Sequence, residues 1–228
     1  MEFSIKPIAY IHTDFSSKFG IPRQSGLVDE LEAKIIFEPQ YRIPEAFRGL
    51  EGYSHVWLLW QFSECAEKDW SPTVRPPRLG GNKRMGVFAS RSPFRPNSIG
   101  LSCVKLIKIE ETADFGTVLT VSGADLLDGT PIIDVKPYLP YVDSHPEASG
   151  GFALQEKEGS LDVVFPSELL SVIPESKQEA LRAVLKQDPR PQYQNDSERI
   201  YGLGFAGYDV RFKVNENLLT VVEVEKIR

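Results

Sequence analysis

The sequence is poor in the residues that most often carry metal or nucleophile chemistry. Among its 228 residues there are two cysteines (Cys65 and Cys103), three histidines (His12, His55 and His145) and two methionines. The two cysteines match no zinc-ligand spacing and offer no disulfide framework. Each has an apolar neighbour on at least one side and reads as a buried free thiol of a reducing compartment. Three scattered histidines argue against a histidine-built metal site, so no metal is expected. A nucleophile elbow, a P-loop and a dinucleotide fingerprint are all missing, since Gly80-Gly81 has no strand leading in and no helix leading out. No apolar run nears the roughly 20 residues of a membrane helix. The opening Met1-Glu2-Phe3-Ser4-Ile5-Lys6-Pro7 has neither the basic start nor the apolar stretch of a secretory signal. A cytoplasmic protein with no membrane partner is the expectation.

Acidic residues are missing from one long stretch. The formal net charge is -6, yet from Ser71 to Ile109 there is no Asp or Glu. The same stretch holds Arg75, Arg78, Lys83, Arg84, Arg91, Arg95, Lys105 and Lys108. A positive surface of this kind attracts phosphates or the carboxylate of a small ligand. The alternative is a solvated face whose neutralising acids come from elsewhere in the fold.

What is present describes a soluble β protein. Hydrophobic residues make up 41% and charged residues 25%, enough to bury a core. Short strands are expected at Phe3 to Ile11, Ala33 to Phe37, His55 to Trp60, Gly86 to Ala89, Leu101 to Ile109, Thr117 to Val121 and Ile132 to Val135. The run from His55 to Trp60 is apolar on both faces and reads as a central strand. Gly and Pro between the strands favour a barrel or sandwich, and closure into a barrel leaves no exposed edge. A short helical piece is expected from Pro44 to Leu50. Near residue 145 the texture turns small and polar, from Asp143 to Gly151, which marks a linker. Beyond it come a strand from Leu161 to Phe165 and a helix opened by a Ser176-Lys177-Gln178-Glu179 capping box and stopped at Pro189. Strands over Ile200–Phe205, Val210–Val214 and Leu218–Val224 then complete an antiparallel sheet. The expected fold is mainly β, a single-sheeted β-barrel over residues 1–145 followed by a small α+β domain over 146–228.

Chemistry concentrates between Leu79 and Gly100. Glycines there let a backbone approach a ligand, Pro93 and Pro96 stiffen the turn around Phe94-Arg95, and arginines offer forked donors to carboxylate or phosphate. Pro22-Arg23-Gln24 repeats the design of a stiff turn bearing a guanidinium. Asp128-Gly129-Thr130-Pro131 is a strand-end turn able to aim carbonyls and a carboxylate at a cation. His55 lies within an apolar strand, where a hydrogen-bonded core histidine is the plainer reading.

At these motifs the sequence resembles the TrmO (TsaA-like) family of tRNA methyltransferases. The likeness runs through Pro22-Arg23-Gln24, Leu50 to His55, Arg75 to Gly81, Gly86 to Gly100 and Asp128 to Pro140. It continues through Gln187-Asp188-Pro189-Arg190-Pro191 and Tyr193. The resemblance implies a dimerising barrel that binds S-adenosylmethionine at its rim near the subunit interface. It implies a substrate too: N6-threonylcarbamoyladenosine, 3′-adjacent to the anticodon of threonine tRNA. Carried over by position, cofactor contacts are expected at Arg23, Gln24, Ser63, Glu64, Arg91, Leu101, Asp128, Gly129, Thr130 and Pro131. Ser63-Glu64 stands in place of a His-Gln pair of bacterial relatives, which directs the expectation there to the backbone. Asp134 and His55 are the candidates for a base, and Lys83, Arg84, Arg95 and Arg190 for tRNA contacts. A non-catalytic barrel that holds RNA or a nucleotide is the alternative.

Overall fold

A computed structural model of the chain describes residues 4–65, 69–76, 79, 81–154, 159–190 and 196–227. Of the residues singled out above, Phe3, Pro77, Arg78, Gly80, Pro191 and Tyr193 lie outside this set.

Six strands close into a barrel: β1 (Ala9–His12), β2 (Glu32–Phe37), β3 (His55–Gln61), β6 (Ile99–Thr112), β7 (Gly116–Ser122) and β8 (Thr130–Pro137). A short hairpin of β4 (Thr73–Val74) and β5 (Met85–Gly86) lies between β3 and β6 in sequence. The barrel order is β1-β2-β7-β6-β3-β8, and β8 returns to pair with β1. Closure follows from β6, which pairs with β3 through Ile99–Lys105 and with β7 through Lys105–Thr112. A single strand thus serves two neighbours in sequence, and the sheet must curl. Period-2 alternation supplies the core: Val56, Leu58 and Trp60 of β3 point inward, as do Ala9 and Ile11 of β1 and Ala33, Ile35 and Phe37 of β2.

The second region is a four-stranded sheet, β10 (Tyr201–Phe205), β11 (Tyr208–Asn215), β12 (Leu218–Lys226) and β9 (Asp162–Val164), in the order β10-β11-β12-β9. Helix α3 (Glu175–Lys186) buries Ala180, Leu181, Val184 and Leu185, the one-face spacing of an amphipathic helix, into the core of this region. Two shorter helices, α1 (Pro140–Asp143) and α2 (Ser167–Leu170), precede it.

The core of this second region draws on the other end of the chain. Phe15, Val28 and Leu31 are fully or nearly fully buried there, with Phe19 and Ile21 packed against them. The segment joining β1 to β2 therefore leaves the barrel and seats its apolar side chains in the C-terminal core.

Several local expectations are corrected. The first strand begins at Ala9. Of Gly86 to Ala89 only Gly86 is extended, and Val87–Ala89 turns as a 3₁₀ helix that buries Val87 and leaves Phe88 in solvent, a pattern without strand alternation. The stretch from Pro44 to Leu50 forms two 3₁₀ turns, Pro44–Phe47 and Leu50–Gly52, split by Gly49 at φ 89°. Helix α3 starts one turn-step early, with Pro174 at its cap and no side-chain cap, so Ser176 and Glu179 form no capping box; it ends at Lys186, ahead of Pro189. The C-terminal sheet is not wholly antiparallel, since β9 joins β12 in parallel.

Candidate functional site

The elements nearest the Arg-rich loop build a cavity at one rim of the barrel. It encloses about 330 Å³, within the usual ~300–1,000 Å³ of small-ligand sites. Its walls come from the Pro22-Arg23-Gln24 turn, the end of β3 with Trp60 and Phe62, the Ser90–Arg95 loop, the start of β6 with Leu101, and Asp125. A neighbouring hollow of about 200 Å³ shares Trp60, Phe62 and Asp125 and adds Ser63, Glu64, Leu126, Leu127 and Thr130.

Local chemistry explains why these side chains converge. Gly100 stands opposite Trp60 across the β3–β6 ladder. A Cβ at Gly100 would lie 2.3–2.6 Å from indole ring atoms, so only glycine lets the indole lie flat over that strand. The indole Nε1 donates to Ser102 Oγ at 3.0 Å, and the Ser102 hydroxyl donates to Asp125 Oδ1 at 2.6 Å. The β3–β8 register shifts between Leu59 and Trp60, a bulge of the kind that re-aims side chains beside sites. Across the cavity an Arg91 Nη1 donates to Gln24 Oε1, and Gln24 Nε2 donates to the Arg23 carbonyl.

Asp125 is the residue that sequence reasoning missed. Burial pushes its carboxyl above the ordinary aspartate value. Hydrogen bonds from Ser102 and the backbone, and the charge of Arg91, pull the other way. A half-buried carboxylate facing an arginine across a cavity is a mark of a working site. The available signal was its setting, Ala124-Asp125-Leu126-Leu127, an acid set among apolar residues just after a strand.

The expected residues divide. Arg23, Gln24, Arg91 and Leu101 line the main cavity, and Ser63, Glu64 and Thr130 the adjoining hollow. Thr130 is buried and its hydroxyl donates to the Leu127 carbonyl at 2.7 Å. Asp128 is placed elsewhere: its Oδ1 accepts the Thr13 amide at 3.0 Å and sits 3.4 Å from His12 Nδ1, in a cleft between barrel and C-terminal region. Gly129, at φ 74°, donates its amide to the Ile11 carbonyl, and Pro131 is buried within β8. None of these three is among the residues lining either hollow.

Neither base candidate reaches the Arg91 cavity. Asp134 lines a different hollow of about 510 Å³ at the opposite rim, with Tyr41, Phe47, Arg48 and Tyr53, and pairs with Lys136 at 2.8 Å. His55 Nδ1 lies 2.9 Å from Ser54 Oγ and its ring meets Tyr138 edge-on. Of the four residues expected at tRNA, Lys83 and Arg84 are exposed, with Arg84 donating to Thr73 Oγ1. Arg95 is half-buried and holds the Val87 and Ser90 carbonyls, so its guanidinium fixes the loop from within. Arg190 is 8% exposed and forks onto both oxygens of Asp188 at 2.8 Å, which removes it from the surface. Cys103 is half-buried with its thiol free, and burial pushes its pKa up. Among the described residues no cluster of three or more His, Cys, Asp or Glu is arranged for a metal ion.

The fold is a mainly β barrel with an attached α+β domain, and at one rim an arginine, a second guanidinium turn and a half-buried carboxylate converge on a cavity of small-ligand size. Family comparisons make this specific. Residues 10–144 match the tRNA-methyltransferase O N-terminal domain and residues 158–227 the TrmO C-terminal domain. The chain belongs to the tRNA-methyltransferase O family. It is 41% identical over 231 residues to the tRNA (adenine(37)-N6)-methyltransferase of Escherichia coli K12, covering 98% of each chain. It is 38% identical over 168 residues to the human protein of that name, covering 72% of this chain and 37% of the human one. The crystal structure of TrmO from Pseudomonas aeruginosa superposes with a TM-score of 0.77 at 33% identity, covering 99% of this chain and 100% of that one.

Proposed function

We propose that this chain is an S-adenosylmethionine-dependent tRNA (adenine-N6)-methyltransferase, acting on N6-threonylcarbamoyladenosine 3′-adjacent to the anticodon of threonine tRNA. The observation that carries the reading is the convergence of Arg91, Arg23, Gln24 and Asp125 on one cavity at the barrel rim. The family membership and the names of the relatives support the reaction class, and a Pseudomonas aeruginosa relative, 40% identical over 233 residues, is named a putative S-adenosylmethionine-dependent methyltransferase.

The residues fit such a donor. Guanidinium groups of Arg91 and Arg23 suit a methionyl carboxylate. Trp60, Phe62 and Leu101 offer apolar and aromatic surface to a nucleobase. Asp125 supplies the negative charge that a sulfonium needs, and it is closer to this role than Asp128. When bound, S-adenosylmethionine supplies a methyl group activated by a good leaving group. What the protein contributes is orientation: a fixed indole floor, a carboxylate held by Ser102 and an arginine held by Gln24. Ser63, Glu64 and Thr130 complete the wall. We assign residues 1–145 to cofactor binding and 146–228 to the second domain.

We infer that the chain works as a cytoplasmic homodimer. Ile99, Leu101, Phe88 and Phe94 are exposed on the loop and strand that build the cavity, apolar surface that a second copy would cover. Sedimentation should return twice the chain mass. Lys83 and Arg84 lie on the acid-free stretch and suit phosphate. Incubation with labelled S-adenosylmethionine and threonylcarbamoylated threonine tRNA should move label into the tRNA. Salt-sensitive tRNA binding without transfer, and without a thermal shift from S-adenosylhomocysteine, would instead identify a non-catalytic RNA-binding barrel.

A further inference from the structure

The segment between β1 and β2 touches two regions at once. On one side, residues 13–15 are stitched to the wall of the smaller hollow. Thr13 Oγ1 donates to the Leu126 carbonyl at 3.1 Å, the Thr13 amide donates to Asp128 Oδ1 at 3.0 Å, and the Asp128 amide donates to the Phe15 carbonyl at 2.9 Å. Leu126 and Leu127 face the hollow directly, and Asp125 faces both hollows. On the other side, Asp14 and Phe15 of the same clip are held by the C-terminal domain. The Asp14 carbonyl accepts the Ala206 amide at 2.8 Å, and its carboxylate pairs with Lys177 of α3 at 2.7 Å. The Phe15 ring is buried in the C-terminal core, edge-on to Phe205 at 5.5 Å.

Further along, the segment reaches the cavity again. Lys18 pairs with Glu64 at 2.6 Å. Gly20, at φ 87°, lies so close to Leu203 that a Cβ would come within 2.2 Å of its Cδ1. Three residues later the chain delivers Arg23. A small hollow between Pro22-Arg23 and Gln187-Asp188-Pro189 shows the loop after α3 packed beside that turn.

We propose that the C-terminal domain positions the cofactor cavity, with Asp14 and Lys177 as positioning residues that hold the 13–15 clip against the Asp125–Asp128 wall. The inference rests on the reading of the rim cavity as the cofactor site. Neither Asp14 nor Lys177 lines that cavity. Their contribution runs through backbone: fixing Asp14 fixes Thr13 and Phe15, and these fix the carbonyl and amide of the turn carrying Asp125. The ion pair is well shielded, with side chains 13% and 31% exposed, so it is screened less than a surface pair. A site whose groups must be held within a fraction of an ångström depends on such outer support.

The test is calorimetric titration of the full-length protein with S-adenosylhomocysteine, well below the melting temperature. Lys177→Met should weaken binding by about fivefold or more, the lower range of coupling between linked sites. Lys177→Arg should restore it, and Asp14→Asn should reproduce the loss without adding to it in the double variant. Arg211→Met is the control, because its ion pairs with Asp209 and Glu223 stay within the C-terminal sheet; its affinity should match the unaltered protein. Unchanged affinity in both Lys177→Met and Asp14→Asn overturns the proposal. So does an equal loss in Arg211→Met, which would mark general destabilisation. If the unaltered protein itself fails to bind, the cofactor reading falls first and this inference with it, a result told apart by that single titration.

Discussion

The two rims of the barrel present unlike cavities. The far rim holds the larger one, about 510 Å³, lined by Phe37, Phe47, Tyr41, Tyr53, Arg48 and Asp134. The near rim holds about 330 Å³ around Arg91 and Asp125. Size favours the far rim, yet the near one has the connected chemistry. There, an indole, a hydroxyl and a carboxylate are chained by hydrogen bonds, and the arginine opposite is braced by Gln24. At the far rim, Asp134 spends its carboxylate on its neighbour Lys136 and on the Val135 amide. Preorganised, mutually supported polar groups mark a ligand site better than volume does.

The sharpest way to break this contrast is to remove the arginine. Arg91→Ala should weaken S-adenosylhomocysteine binding by about 1.5–3 kcal/mol, the worth of a charge-assisted hydrogen bond. Calorimetry showing unchanged affinity would remove Arg91 from the site. Next in size is the glycine pair. Gly100→Ala drives a methyl into the Trp60 ring, tilts the floor of the cavity and should cost about 1–3 kcal/mol of stability together with ligand affinity. Gly49, beside the far cavity, has open space around it but φ 89°. There Gly49→Ala should cost about 1–2 kcal/mol from backbone strain alone and leave binding untouched. Urea melts paired with titrations separate the two; equal effects on affinity would erase the distinction between the rims.

Much of this was legible in the residues. The strands of the barrel announce themselves because one buried face imposes alternation, and His55 to Trp60 reads correctly as a doubly paired strand. Arg23 and Arg91 stand out because Pro- and Gly-rich turns bearing guanidinium groups are unusual in composition, whereas Gln24 enters through the family resemblance; all three line the near cavity. Asp125 does not stand out, because its meaning depends on pairing between strands far apart in sequence: only the β3–β6 register brings Trp60 and Ser102 into line with it. Asp128 drew the attention instead through its Asp-Gly turn and the family resemblance, yet its carboxylate accepts the Thr13 amide of the β1–β2 segment, outside both hollows. Nothing in the periodicity shows that Phe15, Val28 and Leu31 leave the barrel for the second core, since apolar residues in a loop do not say which core they join.

A smaller effect sharpens the role of that carboxylate. Asp125→Asn keeps an acceptor for Ser102 but removes the charge. Binding of S-adenosylmethionine, a cation at sulfur, should fall about five- to tenfold relative to the neutral S-adenosylhomocysteine, the gap between charged and neutral acceptors. A stability signature accompanies it. Burial raises the folded-state pKa of Asp125 above the ordinary 3.8. Stability tied to its neutral form is thus fully present below the unfolded pKa and is lost as pH rises through the folded one. Asparagine titrates nowhere, so the stability of the variant should decline less than that of the unaltered protein as pH rises from the ordinary aspartate value through the folded-state one. Identical pH profiles, with equal loss for both ligands, would leave Asp125 a packing residue.

The smallest effects belong to the far rim and to β3. Asp134→Asn, Arg48→Ala and His55→Gln should each change methyl transfer and ligand affinity by no more than about twofold, the range of substitutions outside a site. Asp134 keeps its place through Lys136 and backbone, and His55 through Ser54 and Tyr138, none of which adjoins Arg91. Single-turnover rates at several pH values give the decisive readout. A large drop in the rate with Asp134→Asn, at unchanged cofactor affinity, would mean that the acceptor nucleoside reaches across to the far rim and that both cavities serve one reaction. Near-normal rates for all three variants confine the chemistry to the rim where Arg91 and Asp125 meet.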